Sequence, residues 1–313
     1  MNQPLQIAVV GVGGRLPGAA DLAAFWANVV AGRDAARDVP PDRWPINPAL
    51  VLQPGPPALD KTYSLRGYFL DAVPRDPDVD PALDPLFHLA VTCARDAWND
   101  ARTAAVNRRR VGVVLGSIAL PTERISAWNR AALTPLFDCG IESAIRDPQS
   151  KIRNQSVVGG PALIVADIFG LGGLCLTLDA ACASSLYALK IACDELTSGR
   201  ADLMLAGGLN RSDSLYTQMG FAQLRALSPS GRCAPLDAAA DGLLVGEGGV
   251  VFALKRLDDA VRDGDRVHGV IAGIGLSNDR DGGLLAPASE GQLRAMTAAY
   301  DQAGWRPGDV DFI

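Results

Sequence analysis

Apolar positions along the chain fall into two kinds of run. Short, nearly unbroken ones cover residues 5–10, 111–115, 174–178, 203–206, 250–254 and 267–274. Runs of this length without polar alternation predict strands buried on both faces, as in a parallel sheet. Other apolar residues recur at helical spacing. They are Leu22, Phe25, Trp26, Val29 and Val30 behind a capping Asp21, then Leu83, Leu86, Phe87, Ala90, Val91, Ala94, Ala97 and Trp98. Further helices are expected at 159–169, at Leu186, Leu189, Cys193 and Leu196 ending at Gly199, at 257–261, and at 291–303. The strand, helix and strand across 174–206 predict a βαβ unit with a right-handed crossover.

The intervals carry different signals. Residues 34–85 are dense in Pro, Asp, Gly and Arg, which excludes long regular elements. A loop this long is either functional or an interface, or an ordered surface wrap. Residues 121–156 read as a cap or contact region, and 310–313 as the start of a strand. Gly11-Val12-Gly13-Gly14 invites a dinucleotide-binding reading, but Leu16 stands where the third glycine belongs, so a tight turn is expected instead.

The run at 174–178 ends against Asp179-Ala180-Ala181-Cys182-Ala183-Ser184-Ser185, where small residues surround one cysteine. Cys182 is therefore expected at a strand-to-helix turn, at or just before the first helical turn. Backbone N–H groups and the helix dipole there favour a thiolate. Small neighbours leave a substrate room to reach the sulfur. The pattern reads as a nucleophilic cysteine, with a small buried thiol as the alternative. Asp179 is the nearest charge in sequence and opposes ionisation unless its carboxylate points away.

Composition narrows the setting. With 313 residues, 48% of them apolar, the chain can bury one large core or two joined ones. A net charge of −6 speaks against a nucleic-acid surface. No apolar run approaches the roughly 20 residues that a membrane span needs, and no secretory pattern opens the chain. The six cysteines, Cys93, Cys139, Cys175, Cys182, Cys193 and Cys233, form no CxxC pair, so neither a disulfide scaffold nor a zinc site is expected. A reducing, cytoplasmic setting fits.

Several blocks in this order resemble the β-ketoacyl synthase family, the condensing enzymes of fatty acid and polyketide synthesis. Residues 179–186 resemble its nucleophile motif, with Ala183 where modular polyketide synthases usually carry Ser. Ala206-Gly207-Gly208-Leu209-Asn210, the run 225–233, and 237–242 with Gly246-Glu247-Gly248 are similar to three further blocks. Residues 60–69, Ser277-Asn278-Asp279 and 284–287 are similar to ketosynthases of iterative polyketide and polyunsaturated-fatty-acid-type synthases. Val245 departs from the Arg that many relatives carry there.

The resemblance implies an α/β, thiolase-like fold layered α-β-α-β-α, its first half complete and its second only begun. Residues 1–256 would form the N-terminal half, with the Pro-rich insertion at 34–85, and 257–313 the start of the C-terminal half. Cys182 would take an acyl group from the phosphopantetheine of an acyl carrier protein, for decarboxylative Claisen condensation with a malonyl unit. No bound cofactor is implied; a homodimer is. The family also uses two histidines, one expected just after residue 313. His88 and His268, the two histidines present, match neither motif. They read as a packed helix residue and a solvent-facing strand residue, so condensation by this chain alone is not expected. Met219, Phe221 and Leu224 are candidates to line an acyl pocket, against simple packing on the core. Glu247 is expected to hydrogen-bond loop backbone, and Asp237 and Asp241 to brace their loop. Two alternatives remain: a non-condensing partner subunit, and an acyl-loading or transfer protein. An elbow of the serine-hydrolase type is excluded, because Gly-x-Ser-x-Gly is absent around Cys182.

Overall fold

The computed structural model describes residues 6–41, 43–56, 58–120, 122, 160–283 and 287–311. Its centre is a mixed sheet in the spatial order β5 (Cys175–Leu178), β4 (Val111–Ser117), β6 (Leu203–Asn210), β8 (Gly248–Arg256), β1 (Ile7–Arg15), β9 (Gly269–Ile271). β5 and β6 both run parallel to β4, which lies between them. β8, by contrast, is antiparallel to β6 and to β1. The parallel reading of the first strand is thus corrected: burial on both faces erases the alternation that would reveal an antiparallel neighbour.

Successive residues of the strands point to opposite faces and meet different helices. Val113, Leu115, Leu205 and Val251 pack under α2 (Pro85–Asp100) and α3 (Gly160–Phe169). Val114, Met204, Ala206 and Leu254 pack under α4 (Ser184–Thr197). Each large side chain so buried contributes about 1.5–3 kcal/mol. Asp84 starts α2 by accepting from the Leu86 amide at 3.0 Å, with Pro85 in the first turn. The expected glycine turn near residue 11 is not there. β1 continues through it with a register shift against β8 between Val9 and Gly11, because Gly11 and Gly13 let the α2 backbone lie against the strand; a Cβ on either would overlap the carbonyl of Ala97 or Cys93.

Asp21 caps α1 (Leu22–Val30) through the Ala24 amide, 2.8 Å away. The apolar stripe of α1 is not its packed face: Trp26 and Val30 are 66% and 70% exposed, while Asn28 is buried and donates to the Gly18 carbonyl. Spacing located the helix and missed what it packs on.

The Pro-rich stretch is an ordered wrap. β2 (Arg37–Asp38) pairs antiparallel with β3 (Arg66–Tyr68), and β3 pairs parallel with β7 (Val245–Gly246). The buried Trp44 donates to Ser214 Oγ at 3.0 Å and the buried Gln218 to the Ser64 carbonyl at 2.7 Å, pinning the wrap to α5 (Ser214–Gln223).

After β8 come α6 (Leu257–Asp263), β9 and α7 (Ser289–Ala303). The strand expected at 267–274 is only the three residues of β9. α7 lies against residues 273–275, where Gln302 Oε1 accepts from the Ile274 amide at 2.8 Å. His268 is exposed, as expected, but lies just before β9 and not in a strand, and its Nε2 is 2.7 Å from Asp100 Oδ2. His88 is buried, and its Nδ1 accepts from the Asp76 amide. A short 3-10 turn at residues 307–309 precedes the strand expected at 310–313; residues 310–311 are not in a strand, and 312–313 lie outside the described residues. So do 284–286 and, Thr122 apart, the cap expected at 121–156. No helix among the described residues is long and apolar enough to cross a membrane.

Candidate functional site

β5 ends with Leu178 opposite Gly116 of β4, and the chain turns through 179–183 into α4, with Ala183 at the helix cap. Cys182 sits immediately before that cap. Ala181 takes φ +51°, a left-handed conformation that costs a residue with a Cβ roughly 1–2 kcal/mol. The turn is held by side chains. Asp179 Oδ1 accepts from the Ala181 amide at 2.8 Å and Oδ2 from the Ala119 amide at 2.8 Å. Ser184 Oγ donates to the Ala181 carbonyl at 2.6 Å and accepts from the Ala180 amide at 2.9 Å. Both oxygens of Asp179 are therefore engaged by backbone donors. Glycine at 116 and 208 lets the start of α4 sit directly on the strand ends: a Cβ at Gly208 would stand 2.8 Å from that of Ser185.

The exposed Cys182 lies on the wall of a cavity of about 600 Å³. Leu120, Leu189, Phe221, Leu243 and Phe252 line it with the glycine-rich stretch 245–249. Of the apolar candidates, Phe221 reaches the cavity. Met219 does not; it packs beside Trp44 and Phe69. Two residues along a helix are turned roughly 200° apart, so this pair could not share a face. Leu224 and both histidines also stay outside the lining. Sequence reasoning missed Leu189, whose helical spacing marked it as core, and Leu243 and Phe252, which carried no motif.

Glu247 is both part of that wall and buried, its side chain 6% exposed. Its Oε2 accepts from the Leu70 amide at 2.9 Å and from Arg43 Nη2 at 3.0 Å. Burial raises its pKa above the ordinary carboxylate value, with Arg43 pulling the other way. Asp241 accepts from Ser228 Oγ at 2.5 Å and from the Ser230 amide at 3.1 Å, and Asp237 from the Ala239 amide, so both brace loop backbone. Cys93 and Cys193, in contrast to Cys182, are buried, and burial pushes each thiol up to about 12.

A larger cleft of about 920 Å³ lies elsewhere, between the end of α2 and α6. Most of its charged groups are paired: Asp202 with Arg110 and Arg256, Lys255 with Asp263 and Asp265. No cysteine or histidine lines it. Among the described residues no three His, Cys, Asp or Glu side chains gather as metal ligands do.

A sequence profile of the β-ketoacyl synthase N-terminal domain matches residues 5–260, and one of the C-terminal domain matches residues 268–313. Polyketide synthase ThaG of Burkholderia thailandensis is 32% identical over 98% of this chain. A phenolphthiocerol/phthiocerol polyketide synthase subunit of Mycobacterium tuberculosis is 35% identical over 98% of it. The chain spans 5% and 16% of those two proteins. Among solved structures, the PfaC keto synthase–chain length factor superposes with a TM-score of 0.87 at 31% identity, over 99% of this chain and 35% of that one. The oxazolomycin ketosynthase domain OzmH KS7 of Streptomyces albus gives 0.80 at 29% identity, over 97% and 53%. The architecture is thiolase-like, as in these ketosynthases. Likeness in sequence and in three dimensions thus covers almost the whole chain, and the chain belongs to the β-ketoacyl synthase family.

Proposed function

We propose that Cys182 is the acyl-accepting nucleophile of a ketosynthase of the polyketide or fatty-acid type. One observation carries this reading: an exposed thiol, set by a left-handed residue before a helix, opens on an apolar cavity of about 600 Å³. An acyl thioester arrives on the phosphopantetheine arm of an acyl carrier protein. The Cys182 thiolate attacks the thioester carbonyl, a new C–S bond forms, and the carrier thiol leaves with the proton that Cys182 gave up. The acyl tail then lies along Leu189, Phe221 and Leu243. Chain extension by a decarboxylated malonyl unit needs donors that stabilise an enolate. His88 and His268 both lie outside the cavity, so these residues alone hold an acyl group without extending it.

The same placement favours acyl loading or transfer as the second reading. A non-condensing partner role is disfavoured by the exposed nucleophile. For assembly we propose a homodimer. β5 pairs only with β4 among the described residues and leaves Leu174 and Leu176 each 36% exposed at the sheet edge. We place the boundary between the two halves of the fold at residue 256, where β8 hands over to α6.

Intact-mass analysis after incubation with an acyl-carrier-protein thioester tests the first claim: one acyl adduct forms, and Cys182→Ala abolishes it. An undiminished adduct in that variant moves the role to another thiol. Addition of malonyl carrier protein tests the second, and any 3-ketoacyl product from the purified chain defeats it.

A further inference from the structure

The cavity wall at 245–247 is anchored from outside the main sheet. β7 takes Gly67 and Tyr68 of the wrap as partners for Val245 and Gly246. One residue on, the Glu247 amide donates to the Tyr68 carbonyl at 2.8 Å. The Glu247 carboxylate then closes the joint, taking the Leu70 N–H and Arg43 Nη2, while that same Nη2 donates to the Leu70 carbonyl at 3.0 Å. Arg211, just beyond β6, approaches Glu247 Oε1 at 3.5 Å from the other side. The side chains of Arg43, Arg211 and Glu247 are 11%, 7% and 6% exposed.

A buried charge cluster of this kind holds its members in place because removing one strands the others without water. Within the wall, Gly248 and Gly249 are held by β6 and β1 as the start of β8, whereas residues 245–247 lie off the central sheet and depend on this joint with β3. Neither Arg43 nor Leu70 lines the cavity, yet both grip a residue that does.

We propose that Glu247 and Arg43 are positioning residues: the wrap, fastened through them, sets the cavity wall and thereby the acyl chain length that Cys182 accepts. The proposal rests on the acyl-accepting reading of Cys182. A short acyl group reacts at the sulfur without leaning on the wall. A long one must lie along it, so a loosened wall changes long-chain acceptance and spares short-chain transfer.

The full chain is acylated with acetyl-, octanoyl- and palmitoyl-coenzyme A, and the Cys182 adduct is followed by mass spectrometry. Glu247→Gln and Arg43→Met should each change the palmitoyl-to-acetyl ratio of half-saturating concentrations by about tenfold or more, the scale of one charge-assisted hydrogen bond. For Arg43→Met, whose side chain does not line the cavity, the limiting rate with acetyl should stay within roughly twofold. The double variant should be no worse than either single one, because both break one joint. Arg43→Lys, which keeps the charge and loses the fork, should fall between wild type and Arg43→Met, and it decides the matter if Glu247→Gln does not fold. An unchanged ratio, an equal slowing at all chain lengths, or additive single effects overturns the proposal while leaving the nucleophile intact. Absence of any adduct on wild-type Cys182 overturns the functional reading and the proposal with it.

Discussion

Asp179 accepts a hydrogen bond from the amide of Ala181, the left-handed residue directly before Cys182, at 2.8 Å. Its second oxygen reaches Ala119, so one carboxylate ties the elbow to the chain beyond β4, where Ile118 and Leu120 line the cavity. Asp179→Ala leaves two amides without their acceptor and the Ala181 strain unsupported. With these contacts open to water, it should lower stability by about 0.5–1.5 kcal/mol and slow acylation of Cys182. Asp179→Asn keeps one acceptor oxygen but sets an NH2 against one of the two amides, so its effect should be smaller. Thermal melts and adduct kinetics on both variants check the order.

Gly116 and Gly220 should respond oppositely to alanine. A Cβ on Gly116 would stand 2.5 Å from the carbonyl carbon of Ser184 and 2.7 Å from the Ser185 amide nitrogen, so the start of α4 has to move. Gly116→Ala should cost about 1–3 kcal/mol and disturb the elbow with it. Gly220 sits inside α5 with nothing within 4 Å of the added carbon. Gly220→Ala should gain about 0.5–1 kcal/mol. Denaturant titration reads both changes, and equal effects at the two sites would contradict this account.

The elbow could be read from sequence because its signal is local. A buried strand, a cluster of small residues and a helical repeat follow one another within residues 174–196. The strands at 111–115 and 250–254 were visible for the same reason, as short runs with no polar interruption. What stayed hidden depends on partners distant in the chain. Gly67 pairs with Val245, and His268 meets Asp100 across 168 residues, and neither carries a mark of its partner. Direction was hidden too. Phe221 and Met219 have similar character, and only the placement of α5 sends one to the cavity and the other to the wrap. The exposed face of α1 shows that periodicity identifies a helix without saying which side is covered.

Thiol reactivity should separate the cysteines in the native state. Cys175, Cys182 and Cys233 are exposed, whereas Cys93 and Cys193 are buried with thiols pushed up to about 12. The thiolate is the reacting form, so the buried pair should resist iodoacetamide at neutral pH until the chain unfolds. Peptide mapping after brief alkylation checks this. Early modification of Cys193 would mean that α4 does not pack on the sheet as described.

Acid should weaken the fold through Asp202. Arg110 grips its carboxylate at 2.6 Å and 3.0 Å and Arg256 adds a third contact at 2.8 Å, which lowers its pKa from 3.8 to about 2. A folded-state pKa below the unfolded one means the unfolded chain binds the proton first. The contribution is therefore complete above about pH 4 and fades as pH falls toward 2. Asp202 is 38% exposed, so solvent screening holds it to about 1 kcal/mol. Asp202→Asn should melt lower than wild type at pH 6, and the gap should close on acidification to pH 2. Added salt should narrow the pH 6 gap in the same direction, since the contacts are partly open to water. A gap that persists unchanged at pH 2 would show that the side chain acts through packing and not through its charge.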